Sequence, residues 1–528
     1  MKNFSAFKTT IKKNLPLVLL ILANLVIGLL ILPGFGESAD EVSQRVYAES
    51  TIRAVQSLVT SGVMPASFVA LDPQQGSHGP AFRVVVALLE HLVLPNGSAA
   101  QALYFDHFLY FLVFLAGVVS VYFLARRWVG EMAAFGAALL FDTQPLFFGH
   151  AFMNPKDVIF MSLFTASVTL GLWMVDRPGK SLDTTAKPVP DGIRSFFKEF
   201  LQADVWLAGL VLGFSSAIRV IAPLIGAALL LYVLLLRRWR VLPRVFAYAL
   251  IAFCSMLLFW PYLWPNPLGL LLQSVSISAN FPNVHVVLFK GVLFDTNDIP
   301  TSYVPLLTAV QLTETTLLLI LLGAVSLLKR VRWDFIALGL VWFVLPAVGL
   351  ILGHINLYNN LRQVFFIFPP LFLLAGLGLD WLLTIVKRPV LQYLLIFLVL
   401  LPGLYANITL YPYQYVYYNQ LVGGIDGAYR NYELDYWSLA FKEAQEYVDQ
   451  EAGKNANIYV DKSKHAAQIF ARPDLVFNAF GGKNFDRYDY VVVSTAENAD
   501  KRFAGFQTVY TVERFGVPLA YVKKIEKP

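Results

Sequence analysis

Across 528 residues there is a single cysteine. Cys254 lies inside an apolar run and has no intrachain partner, which excludes a disulfide framework and removes the basis for a zinc–thiolate or thiol-redox centre. Charge is equally scarce. Lys and Arg number 41 and Asp and Glu 35, together 14% of the chain, against about 25% in soluble proteins. With 57% hydrophobic and 15% aromatic residues, too little polar surface remains to cover a water-soluble protein of this size. A soluble enzyme, a collagen-like chain and a disordered chain are all excluded. Neither an internal repeat nor a low-complexity stretch is present. The net charge of +6 does not point to nucleic acid, because the basic residues sit in short clusters between apolar runs, which is how a membrane protein encodes its orientation.

What the chain does have is long apolar runs. The first, Leu15 to Pro33, follows Lys2, Lys8, Lys12 and Lys13. It is longer than a signal-peptide core and no A-x-A-like site follows, so the pattern predicts a retained helix with a cytoplasmic N-terminus. Further spans are expected near 108–125, 132–148, 158–175, 205–218, 220–236, 245–263, 304–328, 335–353, 364–385 and 391–405, about eleven in all. Basic clusters occupy every second connection: Arg126 and Arg127, Arg177 to Lys198, Arg237 to Arg244, Lys329 to Arg332, and Lys387 with Arg388. Those connections face the cytoplasm, and an odd number of crossings places the tail outside.

The expected fold is therefore a polytopic α-helical membrane protein, with a transmembrane part over 1–406 and an extracytoplasmic α/β domain over 407–528. Extracytoplasmic loops are expected over 37–104 and 264–302. Phe82 to Leu94 is apolar but too short to cross, which predicts a helix lying along the interface. In the tail, an amphipathic helix is expected over Ser438–Asp449, with strands over Asn457–Val460, Tyr488–Ser494, Thr508–Val512 and Leu519–Lys524. Trp260, Tyr262 and Trp264 read as interface anchors.

The residues able to carry chemistry collect at the outer ends of the spans. Asp40 and Glu41 follow the first span. On a helix they point about 100° apart, so one is expected to act while the other orients or caps, and both also suit a helix N-terminus. Asp157 stands at the outer entrance to the fourth span, where Pro155 equally suits a helix start, and Asp142 is near the outer end of the third. Arg219 and Arg362 fall on the outer side, against the charge rule. They suit either an ion pair with these acids or a lipid-linked phosphate, which a guanidinium grips with two parallel hydrogen bonds. Carboxylates and arginines at one membrane level fit sugar transfer from a polyprenyl-phosphate carrier: a carboxylate takes the acceptor's proton and the arginines stabilise the departing phosphate.

Several segments resemble the GT-C superfamily, in particular protein O-mannosyltransferases of family 39 and bacterial enzymes of the aminoarabinose-transferase type. Asp40-Glu41 is similar to the family's acidic pair, and Ser77-His78-Gly79-Pro80 to its His/Lys-Pro-Pro element, departing at Gly79. Arg126 to Gly130 resembles its inner turn, and Gly149-His150 to Asp157 its second acidic element. Tyr417 to Gly424 with Glu433-Leu434-Asp435-Tyr436-Trp437 is similar to a segment of a bacterial subgroup.

The resemblance implies a GT-C fold and an inverting glycosyltransferase with Asp40 as the base. Asp157 would be the second acid and His78 would face the donor phosphate, beside Arg219 and Arg362, which charge placement assigns to that phosphate. The Gly79 departure leaves open whether His78 touches phosphate or shapes the loop. The implied partners are a polyprenyl-phosphate-linked sugar, an acceptor that is a protein, lipid or glycan, and membrane lipid, with no nucleic acid. No cofactor is expected, and a divalent cation on Asp40, Glu41 and Asp157 stays open. His285, Lys290 and Asp295 are weaker candidates in the central loop. The competing class is a transporter or lipid flippase, whose ionisable residues should cluster near the midplane rather than at span ends.

Overall fold

The structure, a computed structural model, describes residues 14–69, 71–176, 199–279, 284–353, 355–478 and 485–526. The basic positions Lys2 to Lys13 and Arg177 to Lys198 lie outside the described residues. Among the described residues, six helices are long and apolar enough to cross a membrane: Leu15–Gly34, Ala99–Ala125, Asp157–Asp176, Trp239–Phe259, Trp333–Leu352 and Pro389–Thr409. Each expected span corresponds to helix, but two are broken. Glu131–Asp142 and Pro145–Met153 meet at 59°, because Pro145 lacks an amide hydrogen and disfavours helix in the residue before it.

The expected single span over 304–328 is instead two helices, Tyr303–Gln311 and Glu314–Lys329, bent by 112°. Side chains from elsewhere take up the backbone groups freed at this break. Gln144 Nε2 donates to the Gln311 carbonyl at 2.7 Å and Asn419 Nδ2 to that of Leu312 at 2.7 Å, while Thr313 N donates to Gln144 Oε1 at 3.3 Å. Irregular backbone at membrane depth is tolerated only when satisfied in this way. The helices Ala203–Ser216 and Leu224–Leu235 are short, and the turn between them carries Arg219.

The outer loop also differs from expectation. The Ala99–Ala125 helix begins before the expected boundary, with Ser98 and Gln101 forming a reciprocal capping box. Its first turns carry Asp106 and His107 inward. The helix Ala81–Val93 is not exposed all round: its Phe82, Arg83, Val86 and Ala87 face is buried, while Leu88, Leu92 and Val93 are left exposed. Arg83 reaches Asp106 at 3.0 Å, and Asp106 also takes Arg45 at 3.1 Å. A buried charge of this kind survives only when paired, and the pairing fixes the outer loop to the Ala99–Ala125 helix. Trp260 and Tyr262 are not interface anchors. Both are buried, and Trp260 Nε1 donates to the Gly76 carbonyl at 3.2 Å.

In the tail, the described residues form five strands, β3 Asn457–Val460, β4 Val476–Asn478, β5 Tyr490–Ser494, β6 Gln507–Arg514 and β7 Val517–Lys524. They lie in the order β4-β3-β5-β7-β6. The strands β3, β4 and β5 run parallel, and β5, β7 and β6 antiparallel. Phe515 and Gly516, at φ 55° and 74°, make the two-residue turn that joins β6 to β7 with the twist a hairpin needs. The amphipathic helix Phe441–Glu451 turns Phe441, Ala444, Gln445 and Val448 inward. A hairpin of β1 Val286–Phe289 and β2 Val292–Asp295 in the central loop meets the tail through a bridge from Phe289 to Tyr432. Residues 410–440 pack in the same apolar cluster as the membrane-length helices, so the tail is seated directly over one end of them.

Candidate functional site

Four chain breaks converge under the tail. At the first, Asn154 closes the helix Pro145–Met153 and its Oδ1 accepts from Lys156 N at 3.0 Å and Asp157 N at 2.7 Å. This side-chain cap starts the next helix and fixes Lys156 and Asp157 side by side. At the second, Arg219 sits in the turn Ala217–Pro223, tied back by its amide to the Ser215 carbonyl at 3.2 Å. The third is Asn359-Asn360, both left-handed at φ 56° and 58°, a conformation asparagine tolerates better than other residues with a Cβ. Tyr418 Oη donates to Asn360 Oδ1 at 3.2 Å and Asn360 Nδ2 to the Glu433 carbonyl at 3.3 Å. The turn directs Arg362 inward. At the fourth, Asp40 precedes the helix Glu41–Ser61, and the neighbouring Ala39 N donates to the Trp437 carbonyl at 3.2 Å.

Arg362 joins the two acids. Its Nη1 lies 2.9 Å from Asp157 Oδ2 and 3.1 Å from Asp40 Oδ2. Its guanidinium stacks between Trp437 and Tyr358, 4.7 Å and 4.9 Å from the ring centroids. Arg219 pairs with the other Asp157 oxygen. The Asp157 side chain is 1% exposed, whereas that of Asp40 is 33% exposed, and Asp40 Oδ1 has no partner among the described residues. Of the two acids, only Asp40 is partly exposed with an oxygen that has no partner among the described residues.

Beside this cluster opens a cavity of about 390 Å³. Its lining brings His78, Lys156, Arg219 and Arg362 together with apolar side chains, among them Val275 and Ala279 of the helix Pro267–Ala279 and Pro346 and Leu350 of the helix Leu345–Leu352. Lys156 makes no ion pair among the described residues. Burial, then the neighbouring Arg219, lowers its ammonium to about 8 against the pull of Asp157. Burial followed by Lys156 and Arg219 holds His78 well below the ordinary histidine range, so it is neutral, and its Nδ1 is buried without a hydrogen bond. Three cations thus face two carboxylates, leaving one positive charge in excess at the cavity head.

The loop bearing His78 is docked on the Arg219 turn. Ala81 N donates to the Ala217 carbonyl at 3.2 Å, and a Cβ on Gly79 would collide with that same carbonyl. The departure at Gly79 therefore has a steric reason: only glycine lets the loop approach closely enough to set His78 beside Arg219.

Asp40, Asp157, Arg219, Arg362 and His78 come together as one constellation. Glu41 does not join it. Its Oε2 accepts from Ser38 N at 2.6 Å and its Oε1 lies 3.0 Å from His107 Nε2, so it caps and anchors the helix. Asp142 is also apart, bonded to Asn24 in the first helix at 2.9 Å. Asp40, Glu41 and Asp157 do not converge on a common point, and among the described residues no group of three metal-ligating side chains could hold an ion. His285 stacks on Tyr358 with centroids 4.1 Å apart, while Lys290 and Asp295 belong to the β1–β2 hairpin. Lys156, Tyr358 and Trp437 were missed. Lys156 carried the same signal as the two arginines, a basic residue on the outer side, but adjacency to Asp157 made it read as part of a helix start.

No family model matches the chain, and no curated protein matches it. Among solved structures it is similar to ArnT from Cupriavidus metallidurans in the apo state, at 14% identity and a TM-score of 0.49, over 95% of this chain and 97% of that one. It is similar to the same protein bound to undecaprenyl phosphate, at 14% identity and a TM-score of 0.49, over 96% of this chain and 97% of that one. A third is the Archaeoglobus fulgidus oligosaccharyltransferase tethered to an acceptor peptide, at 13% identity and a TM-score of 0.47, over 98% of this chain and 75% of that one.

Proposed function

We propose that the protein is an inverting glycosyltransferase that moves a sugar from a polyprenyl-phosphate carrier to an acceptor on the extracytoplasmic side of the membrane. The observation that carries this reading is a cavity whose lining combines the cations Lys156, Arg219 and Arg362 and the neutral His78 with the apolar Val275, Ala279, Pro346 and Leu350. A lipid phosphate combines the same two chemistries. The apolar wall continues onto the exposed Leu268, Leu272, Leu345 and Leu352 of the bordering helices, a surface suited to an isoprenoid chain. An excess of one positive charge matches the single negative charge of a phosphodiester.

In the reaction, the acceptor hydroxyl attacks the anomeric carbon as Asp40 Oδ1 takes its proton. The bond from that carbon to the phosphate oxygen breaks, and the phosphate leaves on the lipid with its second negative charge stabilised by Lys156, Arg219 and Arg362. One displacement inverts the configuration. The N-terminus is assigned to the cytoplasm and the tail to the opposite side, where this site lies.

The test of the reading is turnover of undecaprenyl-phosphate sugars by the purified protein, followed as release of undecaprenyl phosphate, with mass spectrometry of cell-envelope glycans from cells with and without the protein. Release and a missing glycan are expected. A protein that translocates the intact lipid sugar between leaflets without cleaving it would be the transporter instead.

The state of Lys156 adds a pH signature. The phosphate binds the protonated ammonium, which is the dominant form below about 8. Once the probe's own second phosphate ionisation is complete, by about pH 7.5, affinity for undecaprenyl phosphate should weaken by up to about tenfold per unit as the pH passes above about 8. Lys156→Arg stays charged throughout, so binding titrations with this variant should lose the alkaline limb.

A further inference from the structure

The segment Glu433–Trp437 has no part in the displacement just described, yet a chain of hydrogen bonds runs from it to Asp157. Tyr436 Oη lies 2.9 Å from His150 Nε2, His150 Nδ1 lies 3.0 Å from Asn154 Nδ2, and the same amide nitrogen lies 3.3 Å from Asp157 Oδ2. The proton order along this chain follows from its middle. Asn154 Oδ1 is already occupied by two backbone amides, so the amide nitrogen faces the other way and donates one hydrogen to His150 and one to Asp157. His150 Nδ1 is therefore an acceptor, its proton sits on Nε2, and it donates to the Tyr436 hydroxyl oxygen.

Nothing else competes for these groups. His150 and Asn154 are fully buried, and the imidazole is enclosed by Phe365, Trp437 and Tyr415 with centroids 4.9, 5.2 and 5.8 Å away. In such surroundings each hydrogen bond restrains the next. At the far end Asp157 carries both arginines of the cavity head, Arg219 on one oxygen and Arg362 on the other. The orientation of its carboxylate plane thus decides where two guanidiniums stand.

We propose that Tyr436 and His150 are positioning residues for Asp157, through which the tail sets the aim of Arg219 and Arg362 at the donor phosphate. The proposal rests on the reading of the cavity as the donor site. It gives the tail a role in donor binding even though no tail residue lines the cavity.

The experiment uses the full-length protein in lipid nanodiscs with undecaprenyl phosphate as the probe. Tyr436→Phe keeps the ring and removes the hydroxyl, His150→Phe removes both ring nitrogens, and His150→Asn restores an acceptor near the former Nδ1. Expected losses of affinity are about threefold for Tyr436→Phe and about tenfold for His150→Phe, with His150→Asn recovering to within about threefold of the wild type. In an Asp157→Asn background Tyr436→Phe should cost nothing further, which a general loss of stability would not reproduce. Unchanged affinity in both Tyr436→Phe and His150→Phe, or losses that add to that of Asp157→Asn, overturn the proposal. If the wild type does not bind the probe, the donor-site reading fails. Positioning is then read from the Nε resonances of Arg219 and Arg362, which must shift in Tyr436→Phe and whose constancy refutes it.

Discussion

Asp40→Asn is expected to lower turnover of the lipid-linked sugar by about a hundred- to ten-thousandfold, the usual contribution of a positioned general base. The amide has nearly the same shape but cannot take the acceptor's proton. Its signature lies in the division between the constants. Asp40 also neutralises Arg362 at 3.1 Å, so removing its charge leaves the cavity head more positive. Donor KM should stay level or fall while kcat collapses, the pattern of a group that acts only in the transition state. Steady-state kinetics on the purified variant decides this, and wild-type kcat would move the base elsewhere.

The neighbouring acids are poor substitutes for it. Asp157 has each oxygen committed to an arginine, and a carboxylate so held gains little by accepting a proton. In Glu41, Oε2 is held by Ser38 N and Oε1 by His107. Replacing Glu41 therefore loosens the helix that presents Asp40 instead of removing the reacting oxygen, and the smaller loss this implies is of a different kind from that of Asp40.

Hydropathy made the helical layout legible, because apolar length is a local property of a chain. The same is true of β3 and the β6–β7 hairpin, whose alternation and Gly516 turn are written in consecutive residues. The 112° break at Leu312 and Thr313 was not legible, since the side chains that satisfy it, Gln144 and Asn419, come from more than a hundred residues away. β4 escaped notice for a related reason: three residues paired in parallel with β3 carry too short a pattern to stand out. In the site, Asp40, Asp157, Arg219 and Arg362 were visible because each breaks a local rule of polarity or charge placement. Trp437 and His150 break no such rule. An aromatic residue in a tail and a histidine in a helix acquire their contacts with Arg362 and Tyr436 only when the tail folds over the helix ends.

Arg362→Ala is expected to reduce kcat/KM for the donor by about a hundred- to a thousandfold, the scale of losing one group that stabilises a developing oxyanion. The argument starts from burial. The side chain is 2% exposed, touches both acids and lies between Trp437 and Tyr358. Its removal would take away the proposed phosphate contact, leave Asp40 without an ion pair among the described residues and leave Asp157 with Arg219 as its one cationic partner there. Breaking a buried pair also costs about 3–5 kcal/mol of stability, so kinetics must be read on protein whose folding has been verified by its melting transition. Arg362→Lys should restore part of the stability but little of the rate, because a compact ammonium cannot address two carboxylates and stack between two rings at once. Arg219→Ala should cost less, since that guanidinium pairs with Asp157 alone among the acids and its side chain is 15% exposed. The comparison that decides the matter is donor against acceptor. If the arginines hold the phosphate, both alanine variants raise donor KM with acceptor KM unchanged, whereas unchanged donor kinetics in both would reduce them to partners of the acids.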